Sequence, residues 1–184
     1  MYPIPHCAGR LLVAPAQLAD PNFIGAVVLV LVHDENGAFG LVLNDALDFE
    51  PDIVVPKWAS VVTRPVLRGG PVQPDGVLGL GEPILGYHVD GFNTFTTAPS
   101  VLGAVDLSRE PSDGLRRVRL FVGYSGWAPH QLDAELASDG WVVVDAQADD
   151  AFSNDASGLW SRVIRRQVGA SDPLAFLPDD LSLN

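Results

Sequence analysis

The fold is decided by the stretch Phe121-Val-Gly-Tyr-Ser-Gly-Trp-Ala-Pro-His-Gln-Leu-Asp-Ala-Glu-Leu136. Its first residues continue an apolar run, which predicts a strand over residues 118–124. Glycines at positions 123 and 126 flank Tyr124-Ser125, and glycine adopts backbone angles that other residues resist. The stretch therefore predicts a strand that ends in a bend around Ser125.

The second half of the same stretch predicts a helix over residues 129–138. Pro129 suits the first helical position, because its missing N–H would have no partner there, and Ala128 is then the N-cap. Gln131 lies third in this helix, where its side chain can reach back to free backbone donors. Gly140 is expected to end the helix at the C′ position, where a left-handed conformation suits glycine.

Hydrophobic periodicity and turn residues predict short strands and helices in the rest of the chain. Residues 26–32 form an apolar run that is typical of a strand buried on both faces. Asn36-Gly37 then predicts a hairpin that returns along residues 39–43. Residues 16–23 are predicted to be an irregular connection. Other strands are predicted over 11–14, 66–68, 77–80, 87–96 and 141–145, and helices within 48–62, at 101–107 and over 157–168.

Length and composition indicate one globular domain. A chain of 184 residues falls within the usual size of one domain. A content of 47% hydrophobic and 18% charged residues is typical of a globular protein. No repeat or low-complexity linker divides the chain, so residues 1–184 are predicted to form a single α+β domain. Its ends, 1–8 and 171–184, are predicted to be flexible.

The charge balance constrains the partners. Eleven Lys and Arg residues stand against 23 Asp and Glu residues, which gives a net charge of −12. Binding to nucleic acid depends on cations that displace counterions from phosphates, so neither nucleic acid nor an anionic membrane is expected as a partner. The remaining candidates are a protein partner and a small-molecule ligand. Two groups of arginines, at 116, 117 and 119 and at 162, 165 and 166, are expected to pair with nearby acids.

Cysteine content and the lengths of the apolar runs exclude further classes. Cys7 is the single cysteine of the chain. This excludes an intramolecular disulfide and a zinc site built on several cysteines. The first residues lack the basic region and apolar run of a signal peptide, and the apolar run at 26–32 is too short to cross a bilayer. The expected location is the cytoplasm.

Ser125 and His130 are the candidate catalytic residues. A serine on a bend between a strand and a helix resembles the setting of a hydrolase nucleophile. His130 follows closely in the sequence, and His33 and His88 are other candidate bases. The stretch lacks the Gly-x-Ser-x-Gly spacing, and serine needs a base and an orienting acid. A small residue required by a turn is the competing interpretation.

The candidate ligand-binding residues lie around the same bend or in a second glycine turn. Gly69-Gly70, followed by Pro71-Val72, would form a backbone nest for an anion. No P-loop lysine accompanies these glycines, and a tight structural turn is the alternative. The other candidates are Asn44, Gly126, Trp127 and Gln131. The histidine and acids at 33–35, and those at 88 and 90, lack the spacing of a metal site, so no metal and no cofactor is expected.

Several motifs, in this order, resemble those of the bacterial AlgH/YqgE family. They are Leu12-Val-Ala-Pro15, Asp20-Pro-Asn-Phe23, His33-Asp34, Gly37-Ala-Phe-Gly-Leu-Val-Leu-Asn44, Gly69-Gly-Pro-Val72, residues 123–136 and Trp141. The resemblance implies one α+β domain whose mixed, strongly bent sheet approaches a barrel and is flanked by helices. It also implies a family of mostly uncharacterised proteins, sometimes described as transcriptional regulators. Asn44 is followed here by Asp45-Ala46, where the family usually has a basic residue and proline.

Three functional hypotheses follow from the sequence. The first is a non-enzymatic cytoplasmic protein that acts through interactions, with a regulatory role. The alternative is a small-molecule-binding enzyme, a hydrolase that uses Ser125 with a histidine. The second alternative is a transcriptional regulator, which the charge opposes and for which no helix-turn-helix pair is evident.

Overall fold

The computed structural model describes residues 6–15 and 23–167. Most of the predicted connection at 16–23, the predicted tail at 171–184 and the first five residues of the predicted flexible N-terminus lie outside the described residues. The described residues form one mixed sheet and three α-helices, which confirms the α+β class. No helix among them is long and apolar enough to cross a membrane.

The described part of the chain contributes nine strands to the sheet. They are β1 Arg10–Val13, β2 Val27–Asp34, β3 Gly37–Val42, β4 Val62–Arg68, β5 Val72–Pro83, β6 Phe92–Thr96, β7 Leu102–Val105, β8 Leu115–Trp127 and β9 Val142–Asp145. Their spatial order is β6-β7-β5-β8-β3-β2-β1-β9, and β4 pairs in parallel with β8 beside this path. The antiparallel part curls into a half-barrel, as the family resemblance implies.

The helices cover the two faces of this sheet. They are α1 Pro51–Val54, α2 Gln131–Ala137 and α3 Leu159–Gln167, with 3-10 turns at Pro56–Trp58 and Asp150–Phe152. Side chains of β1 and β2 alternate between two apolar layers, so the predicted burial of residues 26–32 on both faces is confirmed. Leu29 lies in the layer that contains Trp160 of α3, whereas Val28 lies in the layer that contains Leu132 of α2.

The central strand β8 is longer than predicted. It continues through Ser125 to Trp127, because Ser125 still pairs with Gly40 of β3 and Trp127 pairs with Ala38. The predicted bend around Ser125 is therefore wrong. The irregularity lies at Gly123, whose φ of +69° is absorbed inside the strand opposite a register shift in β5.

The limits of α2 also differ from the prediction. The helix begins at Gln131, after His130 in a left-handed conformation with φ of +62°, so Ala128 is not the N-cap. The predicted reach-back of Gln131 does occur, since its Oε1 accepts the Ala128 N–H at 3.0 Å. At the other end Asp139, with φ of +55°, occupies the left-handed position predicted for Gly140. The Gly140 N–H instead donates to the Glu135 carbonyl at 2.8 Å, which completes the C-terminal cap.

Two other local predictions have different outcomes. The helical turn predicted at 101–107 is wrong, because Leu102–Val105 forms β7 and pairs with both β5 and β6. The hairpin predicted at Asn36-Gly37 is confirmed: β2 and β3 pair antiparallel around it, and Asp34 Oδ1 accepts the Asn36 N–H at 2.8 Å. At 101–107, hydrogen bonding to a strand on each side outweighs the weak local preference for a helical turn.

Candidate functional site

The structure buries Ser125 completely within β8. Its Oγ donates to the Gly69 carbonyl oxygen at 3.1 Å. The side chain therefore lies away from solvent and joins β8 to the glycine turn, which is a structural role. His130 has the opposite environment, because its side chain is 78% exposed and its Nδ1 lies 3.4 Å from Asp133 Oδ2. A serine without access to a substrate offers no nucleophile for the hydrolase hypothesis.

The glycine turn at Gly69-Gly70 packs directly against the backbone of β8. A Cβ at Gly69 would lie 2.4 Å from the Gly123 carbonyl oxygen, and one at Gly70 would lie 2.4 Å from the Tyr124 backbone. The Gly69 N–H donates to the Val122 carbonyl at 2.8 Å, so it is not available to an anion. The glycines allow the close approach of two backbones, which agrees with the alternative of a tight structural turn.

Asn44 ties the end of β3 to the start of β2. Its Oδ1 accepts the Val27 N–H at 2.8 Å, and its Nδ2 donates to the Gly25 carbonyl oxygen at 2.8 Å. Both ends of the amide are thus used inside the chain. Gly126 is exposed on β8 and faces the Tyr124 ring.

Glu135 organises the remaining two candidates, in a group we call the Glu135 clasp. Its Oε2 accepts the indole N–H of Trp127 at 2.9 Å and that of Trp141 at 2.8 Å. Its Oε1 accepts from Gln131 Nε2 at 3.0 Å. A buried indole N–H needs an acceptor, so this carboxylate holds α2 against the sheet. The predicted ligand-binding residues Trp127 and Gln131 are therefore engaged in the fold.

A second buried contact, which the sequence did not reveal, joins β2 to α2. His33 is 7% exposed, its Nδ1 accepts the Cys7 backbone N–H at 3.2 Å, and its Nε2 lies 3.1 Å from Asp133 Oδ1. Cys7 is itself fully buried, and desolvation raises the pKa of its thiol, which remains protonated at neutral pH. No group of three or more His, Cys, Asp or Glu residues in the described part of the chain is arranged to hold a metal ion.

One surface feature is the first half of the connection between β5 and β6. We call its residues Ile84-Leu85-Gly86-Tyr87 the apolar loop. Leu85 is 95% exposed, Tyr87 is 62% exposed and Ile84 is 38% exposed. The loop borders a depression of about 690 Å³ that Arg116 also lines. Single exposed apolar residues are ordinary, but adjacent ones at the tip of a loop indicate a contact surface.

A second surface feature lies where the start of β8, the 3-10 turn Asp150–Phe152 and α3 meet. We call it the arginine depression; its volume is about 650 Å³. It is lined by Arg117, Gln147, Asp149, Asp150, Phe152, Ser153, Leu159, Arg162, Arg165 and Arg166. Arg117 from the first arginine group thus meets the whole second group at one place, which their separation along the chain did not reveal.

The prediction that the arginines pair with acids is confirmed for Arg117, Arg162 and Arg166, whereas the hydrogen bonds described for Arg119 go to backbone carbonyls. Arg117 Nε donates to Glu82 Oε2 at 2.8 Å and Nη1 donates to Asp149 Oδ1 at 2.5 Å, and its guanidinium lies 4.4 Å from the centre of the Phe152 ring. Burial alone would lower the pKa of Arg117, but the bonds to Glu82 and Asp149 outweigh it and raise that pKa. Arg166 Nη1 donates to Asp150 Oδ1 at 2.8 Å.

Arg119 is fully buried and bonds to Ser153, a residue that lines the same depression. Its Nη1 donates to the Pro65 carbonyl oxygen and its Nη2 to the Ser153 carbonyl oxygen, both at 2.9 Å. Desolvation lowers its pKa to about 10, so the side chain is still charged at neutral pH. Carbonyl dipoles solvate this charge, and the hydrogen bonds described for it include none to a carboxylate.

Comparison with known proteins relates the whole fold to one family. The family model described as DUF179, AlgH-like, matches residues 11–171. A UPF0301 protein of Streptomyces avermitilis is 40% identical over 190 residues, covering 100% of this chain and 98% of that protein. A UPF0301 protein of Thermobifida fusca is also 40% identical, with coverage of 96% and 94%.

Solved structures agree with this relationship. The crystal structure of a Corynebacterium diphtheriae protein superposes with a TM-score of 0.81 at 30% identity, covering 93% of this chain and 90% of that one. The solution structure of the AlgH protein from Pseudomonas aeruginosa gives a TM-score of 0.66 at 24% identity, with coverage of 89% and 90%, and shows likeness of fold. The chain therefore belongs to the AlgH-like, UPF0301 family of uncharacterised proteins.

Proposed function

We propose that this protein is a non-enzymatic cytoplasmic protein that acts by binding a protein partner through the apolar loop. The observation that carries the proposal is Leu85, which is 95% exposed between Ile84 and Tyr87. Removal of apolar surface from water favours association by roughly 25 cal/mol per Å². A loop tip with adjacent apolar side chains is suited to insertion into a pocket of a partner.

The charge of the chain specifies the chemistry of that partner. A net charge of −12 attracts a protein of net positive charge and raises the rate of encounter. Exposed acids lie near the loop: Asp90 precedes β6, and Asp113 adjoins Gly114, whose carbonyl accepts the Ile84 N–H at 2.8 Å. Arg116 borders the loop too, but lies 3.9 Å from the Glu82 carboxylate. The partner we propose is a basic protein with an apolar pocket for Leu85.

The competing hypotheses have less support. Ser125 is buried, which removes the nucleophile on which the hydrolase hypothesis depends. The charge of −12 opposes a transcriptional regulator that binds DNA directly. A single cysteine is compatible with the reducing cytoplasm, where disulfides are rare.

The test uses the full chain as bait and a matched pair of surface variants. Leu85→Ser removes the apolar tip, whereas Ile53→Ser removes a side chain that is 74% exposed elsewhere on the surface. We expect a basic protein that wild type and Ile53→Ser retain and that Leu85→Ser loses. Titration of that purified partner should show affinity lowered by about tenfold or more for Leu85→Ser, and association that slows as salt is added.

Other outcomes contradict the proposal in different ways. Equal retention by both variants would mean that the apolar loop is not the contact. A dimer in gel filtration that Leu85→Ser dissociates would make a second copy the occupant. Turnover of generic esters that Ser125→Ala abolishes would restore the enzyme hypothesis, and fractionation outside the cytoplasm would contradict the proposed location.

A further inference from the structure

We propose that the arginine depression binds a small anion that carries phosphate or carboxylate groups. The anion's oxygens would take the places that Asp149 holds on Arg117 and Asp155 holds on Arg162. This inference does not depend on the apolar loop, which is a separate surface. It rests on the geometry of the guanidinium groups, on the exposure of their present partners and on a buried arginine that bonds to Ser153, as Arg162 does.

The size and shape of the depression suit a small ligand. Its volume of about 650 Å³ falls within the ordinary range of ligand sites. On one side Arg162, Arg165 and Arg166 share a face of α3, because residues three and four apart lie together on a helix. Arg117 reaches the depression from β8. Guanidinium forks that converge from two elements match the planar oxygens of carboxylate and phosphate groups.

Contacts with buried groups fix the Arg117 guanidinium where an external anion can reach it. Its Nε bonds to Glu82, a carboxylate that is 7% exposed, and its guanidinium stacks over Phe152. Its Nη1 bonds to Asp149, whose side chain is 89% exposed. The carboxylate of this pair is open to solvent, so water or another anion can compete with Asp149 for Arg117. Glu82 and the Phe152 ring would keep the guanidinium in place when Asp149 leaves.

Arg162 on α3 also pairs with an exposed carboxylate, which the Gly158 N–H and the Ser157 hydroxyl hold as well. It pairs with Asp155, whose side chain is 60% exposed, and its Nη2 donates to Ser153 Oγ at 2.6 Å. Arg166 differs, because its partner Asp150 is 8% exposed and forms part of the fold. The depression therefore contains two carboxylates that are exposed and two, Asp150 and Glu82, that are fixed.

The described charges around the depression balance, although the whole chain is acidic. Apart from Arg165, the described groups comprise four arginines and four carboxylates: Arg117, Arg119, Arg162 and Arg166 with Glu82, Asp149, Asp150 and Asp155. Ions screen more distant charges beyond about 8 Å at physiological ionic strength. Displacement of Asp149 from Arg117 would leave a cationic group for the anion to compensate, whereas the Gly158 N–H and the Ser157 hydroxyl keep the Asp155 carboxylate nearby.

Arg119 is the independent observation that points to a ligand. It is fully buried, and within the described residues its Nε has no hydrogen-bond partner. Its Nη2 bonds to the carbonyl of Ser153, the residue whose hydroxyl bonds to Arg162. A buried cation that lacks a carboxylate contributes positive potential at Ser153, on the lining of the depression, where a bound anion would compensate it.

The test is calorimetric titration of the full chain with inorganic pyrophosphate and, separately, with citrate, at low salt and without divalent ions. We expect at least one of them to bind. Arg162→Gln and Arg165→Gln should each weaken binding by about tenfold, and Asp149→Asn should tighten it about threefold by removing the competing carboxylate. Arg64→Gln is the matched control, because Arg64 is an exposed arginine that pairs with Glu50 elsewhere on the surface.

The outcomes separate the sources of the ligand and test the proposal. Binding of pyrophosphate alone assigns phosphate chemistry, and binding of citrate alone assigns carboxylate chemistry. No heat with either anion overturns the proposal, and so does equal weakening by Arg64→Gln and Arg162→Gln. Asp149→Asn is expected to bind more tightly, a result that a folding defect would not produce. Melting curves of the other variants show whether they are folded.

Discussion

The 121–136 segment and the surface formed by the apolar loop and the arginine depression use their side chains in opposite ways. In the segment, Ser125 and Glu135 direct their polar atoms inward, to Gly69 and to the two indoles. On the surface, Leu85 faces solvent and Asp149 holds Arg117 only by an exposed contact. The recognisable motif is thus the support of the fold, and the accessible chemistry lies outside it.

This difference teaches how to interpret the conspicuous residues of a sequence. A compact pattern of glycines, tryptophans and a serine indicates a binding or catalytic site only when some of its polar groups remain free to contact a ligand. Here the Gly69 N–H, both ends of the Asn44 amide and the Glu135 carboxylate are all engaged within the chain. Substitution in the two regions should therefore change different properties.

The largest effect should come from one of two glycines with positive φ: Gly70 packs against the 121–136 segment, and Gly86 lies in the apolar loop. Gly70 has φ of +149° and its added Cβ would meet the Tyr124 backbone at 2.4 Å, whereas Gly86 has φ of +85° and nothing within 4 Å. We expect Gly70→Ala to lower the free energy of unfolding by roughly 3–5 kcal/mol, since strain and clash add. Gly86→Ala should lower it by about 1 kcal/mol. Urea denaturation measures the unfolding free energy of both variants, and equal losses would contradict the expected difference between them.

A smaller effect should follow from removal of the Glu135 clasp. Glu135→Ala leaves the N–H groups of Trp127 and Trp141 without their acceptor, so we expect a loss of about 2–3 kcal/mol in the free energy of unfolding. The control is Glu50→Ala, because the Glu50 side chain is 60% exposed and pairs only with an exposed arginine. Glu50→Ala should lower the free energy of unfolding by less than about 0.5 kcal/mol. An equally large loss of unfolding free energy for Glu50→Ala would show that the exposure of a carboxylate does not determine its contribution to stability.

The smallest effect concerns pH and the accessible region. The Gly158 backbone N–H, the Ser157 hydroxyl and Arg162 hold the pKa of Asp155 below its ordinary value of 3.8. Because the folded pKa is the lower one, the stabilisation is present above pH 3.8 and is lost as the pH falls through the folded pKa.

The measurement is the melting temperature of wild type and Asp155→Ala against pH. At neutral pH the variant should melt lower by about 2 °C or less, and the difference should vanish in acid. Asp75→Ala, at another exposed acid, should show no such pH-dependent difference. A difference that grows on acidification would contradict the sign of this linkage.

Sequence reasoning succeeded where the signal is local. The hairpin at Asn36-Gly37 and the doubly buried run at 26–32 follow from turn chemistry and from continuous hydrophobicity. It was wrong at Ser125 and at 101–107, where pairing with distant strands determined the conformation. A strand partner some 85 residues away in sequence, as Gly40 is to Ser125, leaves no mark in the local pattern.

The sequence by itself determined the α+β class, the family, the acidity of the chain and the residues of the central segment. Only the tertiary structure decided which of those residues are available. It buried Ser125 beneath Gly69 and joined Glu135 to two indoles, and it brought arginines from β8 and α3 around one depression. The physical reason is that availability depends on burial and on hydrogen-bond partners, both of which arise from residues far apart in the chain.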